Sequence, residues 1–122
     1  MKILYQNQFD YLNNLHKRWI LMQPGGKSMS IKNSDLTRID FNGLSLKWAT
    51  FKKCSFKDVD FKDASLEGVL FIDCDFEGSS MVNSTVFNVT FRECHIGQDQ
   101  LPPGSSINLI RSLDGSFDIS VV

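Results

Sequence analysis

The sequence predicts an all-β solenoid, a coil wound from five-residue sides, and three observations carry that prediction. A large apolar residue stands at every fifth position for thirteen successive units: Leu36, Phe41, Leu46, Phe51, Phe56, Phe61, Leu66, Phe71, Phe76, Met81, Val86, Phe91 and Ile96. Two residues before each comes a second, uncharged set: Ser34, Ile39, Leu44, Ala49, Cys54, Val59, Ala64, Val69, Cys74, Ser79, Ser84, Val89 and Cys94. Between the two sets lie mostly short polar residues. After each large residue come two positions dominated by Lys, Glu, Asp, Asn, Gly and Arg, the chemistry of tight turns.

Neither common element can use this period. In an α-helix five residues advance about 500°, which scatters the large side chains around the cylinder. In a plain strand an odd period throws alternate large residues to opposite faces. A short extended piece followed by a turn satisfies both sets at once, with the small and the large side chain pointing inward on each side.

Stretches such as CSFKD, VDFKD, ASLEG and CDFEG repeat one order: small, short polar, large apolar, then two variable residues. In this the chain resembles the pentapeptide-repeat family over roughly residues 29–98. The resemblance implies a right-handed quadrilateral β-helix with four units per coil, hence a little over three coils. Residues twenty apart would then stack, giving core ladders through Phe41 and Phe61, through Phe56 and Phe76, and through Phe51, Phe71 and Phe91. Each coil touches only its neighbours, so both ends need cover.

The flanks supply candidates for that cover, and the chain divides into a cap over 1–28, the repeats over 29–98 and a tail over 99–122. Residues 8–22 carry Phe9, Leu12, Leu15, Trp19 and Met22 near helical spacing, and Pro24, Gly25 and Gly26 end that helix. LHKRWILMQPGGKSMSI also resembles a head segment of short bacterial and prophage members of the family. Beyond Ile96 the period is expected to fail at Gln100 to Pro103. Ile107 to Leu113 reads as a short helix, Asp114-Gly115 as a turn, and Phe117, Ile119 and Val121 as a strand. This tail either closes its own coil or joins a second copy, as the C-terminal end does in gyrase-directed relatives.

The reactive side chains read as scaffold. Cys54, Cys74 and Cys94 are spaced by twenty at the inward small position, with no CxxC and no converging histidine, so no metal or cofactor is expected. His16 falls in the helix and His95 at an outward position, neither beside a nucleophile. Asp35, Asp40, Asp60 and Asp75 occupy the short polar position, where a carboxylate accepts backbone hydrogen bonds at a turn. Gly25-Gly26-Lys27-Ser28 has Leu21 where a phosphate loop needs its first glycine. Lys47, Lys52, Lys53, Lys57 and Lys62 form a belt around one coil rather than a nucleic-acid face.

Function is therefore expected to be non-enzymatic: a protein-binding or structural module, in a phage or prophage setting or as part of a virion or other assembly. Neither a direct nucleic-acid nor a membrane partner is expected. The formal net charge is -1, no apolar run spans a bilayer, and the start lacks a secretory signal, which reads as cytoplasmic or virion-associated. The alternative is a DNA mimic that modulates a type II topoisomerase such as gyrase, as fluoroquinolone-resistance relatives do. Those relatives are strongly acidic, whereas residues 33–98 hold ten Asp or Glu against seven Lys or Arg. The candidate contact surface is where apolar residues fill solvent positions: Trp48, Leu70 and Phe87 along one edge, with Ile72 at the far end of the same side and Val82 apart.

Overall fold

The computed structural model describes residues 1–110. Strand β1 (Lys2–Ile3) leads into helix α1 (Gln6–Ile20). The chain then winds through β2 (Ser30–Lys32), β3 (Ser34–Asp35), β4 (Thr50–Lys52), β5 (Leu70–Ile72), β6 (Val89–Arg92), a 3-10 turn at Gln98–Gln100 and β7 (Ile107–Ile110). The result is a solenoid of about four turns of parallel strands behind one N-terminal helix.

One side of the coil is a continuous parallel sheet in the order β2-β4-β5-β6-β7, with Ile31, Phe51, Phe71 and Phe91 in register. The other sides are held by isolated parallel bridges such as Asp35 with Ser55, Ser45 with Ser65 and Asp60 with Ser80. The corners explain the difference. On the three short sides the large residue's carbonyl accepts the N–H three residues on, as in Ile39 to Leu36 (3.2 Å), Ala64 to Phe61 (3.0 Å) and Val69 to Leu66 (3.2 Å), which turns the chain at once. Positive φ and a cross-coil N–H bond are common to both kinds of corner, at Trp48 and Asp58 on the short sides and at Lys53 and Asp73 leaving the sheet, where the bonds run to Ile72 and Arg92 at 2.8 Å each. Among the described residues the Phe51 and Phe71 carbonyls accept no backbone N–H three residues on. The backbone thus stays extended one residue longer on this side.

Inside, rings stack along the columns and meet edge to face between them. Phe56 lies on Phe76 at 5.3 Å and 5°, and Phe71 on Phe91 at 5.4 Å and 12°. Phe71 meets Phe76 at 4.9 Å and 86°. Phe41, Phe51, Phe56, Phe61, Phe71, Phe76 and Phe91 are all turned inward and buried.

The winding runs past residue 98, so the coil count is about four rather than a little over three. Leu101 stands five residues after Ile96 and is buried like the other large residues. The small and polar positions before it break the pattern, because Gln98–Gln100 form a tight turn there. The Gln100 amide donates to the carbonyls of Phe76 (2.8 Å) and Ser79 (2.9 Å), doing with a side chain what the regular repeat does with backbone. The next coil is shorter, pairing Val89 with Ile107 and Phe91 with Leu109. The helix expected from Ile107 is therefore corrected at Ile107–Ile110, which form β7: the open edge of β6 offers backbone partners, and Ile107 and Leu109 alternate onto the core. The turn and strand expected at 114–121 lie outside the described residues.

The upper end is covered by residues outside the repeat. β1 pairs with β3, Lys2 beside Ser34, and extends one side by a strand. The Gln6 side chain accepts the Asp40 N–H at 2.8 Å on the next. Phe9 is buried edge-on against Phe41 at 5.2 Å. His16 lies over the third side, where its Nδ1 accepts the Met29 N–H and its Nε2–H donates to the Lys47 carbonyl, both at 2.8 Å.

Candidate interaction surface

The titratable groups are absorbed by the scaffold. Asp35, Asp40, Asp60 and Asp75 each accept the N–H two residues on, at 2.9–3.0 Å, fixing the turn that follows. Asp35 also accepts the Thr37 hydroxyl at 2.6 Å; these bonds favour the ionised form and hold its pKa below the usual value. His16 is fully buried, and burial pushes its pKa down against a smaller opposing pull from the Lys47 carbonyl. His95 pairs in the ladder with Asp75.

The cysteine column has a more specific role than filler. Ser34 Oγ, Cys54 Sγ, Cys74 Sγ and Cys94 Sγ each donate to the carbonyl two residues back, at Lys32, Lys52, Ile72 and Arg92. These carbonyls flank the wide corner that leaves the sheet. The column therefore caps the wide turn from inside. All three thiols are free and buried; contact with Cys54, then Cys94, and burial raise the Cys74 pKa well above the ordinary thiol value. Among the described residues no cluster of His, Cys, Asp or Glu could hold a metal ion.

Part of the lysine belt is answered by the coil beneath it. Lys47 pairs with Glu67 and Lys57 with Glu77, each at 3.7 Å, while Lys53 stacks above Asp73 in the ladder. The period of twenty that aligns the phenylalanines also aligns opposite charges. The signal was present in the sequence as Lys and Glu or Asp twenty apart, and a reading of charge within single coils passes over it.

The apolar surface positions remain. Trp48 and Phe87 are exposed, at 50% and 56%, and Leu70 and Ile72 are half-buried on the outer face of β5. Residues 44–103, which contain all four, match the family model described as a pentapeptide repeat region. The chain belongs to the pentapeptide-repeat family. No curated protein and no solved structure matches it. For a pentapeptide-repeat protein, membership suggests a non-enzymatic protein-interaction module. Among the described residues no helix is long and apolar enough to cross a membrane.

Trp48 is the best-defined of these groups. Its backbone has φ 66°, uncommon for a bulky residue. Its ring lies over Gly68 in the next coil, where a Cβ would collide with Cε3, Cζ3 and Cδ2. A glycine is thus required beneath the indole, which rests on the backbone while half of it meets solvent. Phe87 lies one coil further on: the Gly68 N–H donates to its carbonyl at 3.0 Å. The Trp48 and Phe87 rings form no stacked pair, because the Gly68 coil stands between them. Trp19, which the sequence reading placed on the buried stripe, is 40% exposed and stacks on His16 at 5.5 Å, beside the Lys47 carbonyl. Exposed aromatic groups therefore follow one corner from the cap to the third coil.

At the lower end a hollow of about 650 Å3 is lined by Leu101, Pro102, Pro103 and Gly104 together with Gln98, Asp99 and Ser105. Asp99 is the one ionisable group among the described residues that line it.

Proposed function

We propose that this pentapeptide-repeat protein is a non-enzymatic module that binds another protein through the corner of Trp48 and Phe87 and the adjoining outer face of Leu70 and Ile72. The supporting observation is the Trp48 indole held on Gly68. A bulky left-handed residue is tolerated there, and a glycine is kept for its ring, while half the ring contacts only water. Tryptophan is enriched among residues that anchor interfaces. Location in the cytoplasm, or in a phage-encoded assembly as the head segment suggests, is the setting in which we place this role. The DNA-mimic reading has less support, since a continuous acidic surface is replaced by stacked lysine and carboxylate belts.

The double change Trp48→Lys with Leu70→Asp tests the proposal. Neither side chain enters the core, so the variant should melt with the parent. Partners captured by the parent from the source organism should be lost. A variant that keeps its melting temperature, its oligomeric state and every partner removes the proposal, and recovery of gyrase inhibited at submicromolar protein would install the mimic instead.

A further inference from the structure

The five-stranded side is the molecule's only extended sheet among the described residues, and its outward residues form two rows. Register places Ser30, Thr50, Leu70, Thr90 and Asn108 in one, and Lys32, Lys52, Ile72, Arg92 and Ile110 in the other. These ten positions hold three cations and no carboxylate. The described residues as a whole hold equal numbers of acidic and basic side chains, so the sheet face is positive and the remainder correspondingly negative. Lys32, Lys52 and Arg92 form no ion pair among the described residues, in contrast to Lys47 and Lys57, which are matched across coils. Lys52 and Arg92 flank Ile72 from above and below in their row, and Leu70 stands two residues away in the other row, on the side toward the Trp48 corner.

We infer that this face takes an acidic, extended segment of a partner protein, with apolar side chains seated on Trp48, Leu70 and Ile72 and carboxylates on Lys32, Lys52 and Arg92. This rests on the protein-binding reading above and adds the partner's chemistry. Size favours a segment over a folded surface. Four inter-strand steps make the face about 19 Å tall, and three strand residues make it about 10 Å wide. That is far below the roughly 800 Å2 per partner of a standard interface between folded proteins. About six extended residues span the height. Charge complementarity at so small a site supplies orientation and on-rate, and the apolar anchors supply most of the affinity.

The test is binding of fluorescent ten-residue peptides to the full chain, with backbone amide shifts to locate the site. The probes are one alternating glutamate with leucine and tryptophan, its lysine counterpart with the same apolar residues, and an oligothymidylate of similar length. The acidic peptide should shift the amides of β4, β5 and β6 and bind more weakly as salt rises. Its affinity should fall about tenfold in Lys52→Glu with Arg92→Glu, whose melting should match the parent. Equal binding of the lysine peptide, binding unaffected by the charge reversal, or no shift at millimolar peptide overturns the inference. So does oligothymidylate displacing the peptide, which would make the face a nucleic-acid site. The two readings fail separately. A native partner lost by Trp48→Lys with Leu70→Asp but kept by Lys52→Glu with Arg92→Glu leaves the protein-binding surface standing and removes its acidic occupant.

Discussion

The middle of the coil and its upper end solve the same problem with opposite means. In the middle, N–H groups of one coil meet carbonyls of the next at equivalent positions, as Phe56 N–H meets the Asp75 carbonyl and Phe61 N–H the Ser80 carbonyl. Phe56 touches Phe41, Phe51, Phe61, Phe71 and Phe76 because each unit repeats its neighbour. At the upper end no further coil exists, and three unlike groups take its place: a two-residue strand, the Gln6 amide and the His16 imidazole. Repetition stabilises by summing many equal contacts, so the centre has no single decisive polar group. The end depends on a few irregular ones. His16 alone satisfies both the Met29 N–H and the Lys47 carbonyl.

Substitutions should expose that contrast, the largest effect at the centre. Phe56→Ala removes a fully buried ring at the junction of two columns and should cost about 3–5 kcal/mol, the range for such truncations. Chemical denaturation measures it, and a midpoint equal to the parent's would deny the central ladder its role.

His16→Ala should cost about 2–3 kcal/mol by leaving two backbone groups without partners. It should also loosen only the cap, so that hydrogen exchange accelerates in α1 and at Met29 while β5 stays protected. The same residue gives the end a pH dependence that the centre lacks. Burial lowers the folded pKa of His16, so the unfolded chain binds the proton more readily. Stability from this group is complete above the unfolded value of about 6.5 and declines as pH falls from there toward the lowered folded value. Protonation would place a second N–H opposite the Met29 N–H. Melting temperatures from pH 7.5 to 5 should fall more in the parent than in His16→Ala; parallel curves would assign the acid sensitivity elsewhere.

The smallest change should be a gain. Asn13 lies on the buried stripe of α1 between Phe9 and His16, and its Oδ1 has no hydrogen-bond partner. Asn13→Leu replaces an unsatisfied polar atom with apolar surface and should add about 1 kcal/mol, read as a higher melting temperature. Loss of stability would mean that the amide supports the cap in another way.

The sequence by itself determined the sides of this molecule. A period of five with small and large inward residues defines each side and leaves Trp48 and Phe87 at solvent positions, and the four units per coil that the family resemblance implies put Phe51, Phe71 and Phe91 in one column. It also carried the matched lysine and carboxylate belts, which emerge only when residues twenty apart are compared. What tertiary structure decided lies where the period stops. Leu101 continues the core although Gln98–Gln100 break the pattern, and β7 forms because β6 leaves an open edge rather than because Ile107–Ile110 prefer a strand. His16 becomes a substitute for a missing coil only because α1 lies across the end. The Trp48 platform needs Gly68 beneath it, a pairing of two unremarkable positions made by the stacking of coils. Local pattern determines what repeats, since each unit carries its own instructions; ends and surfaces depend on which distant residues the winding brings together.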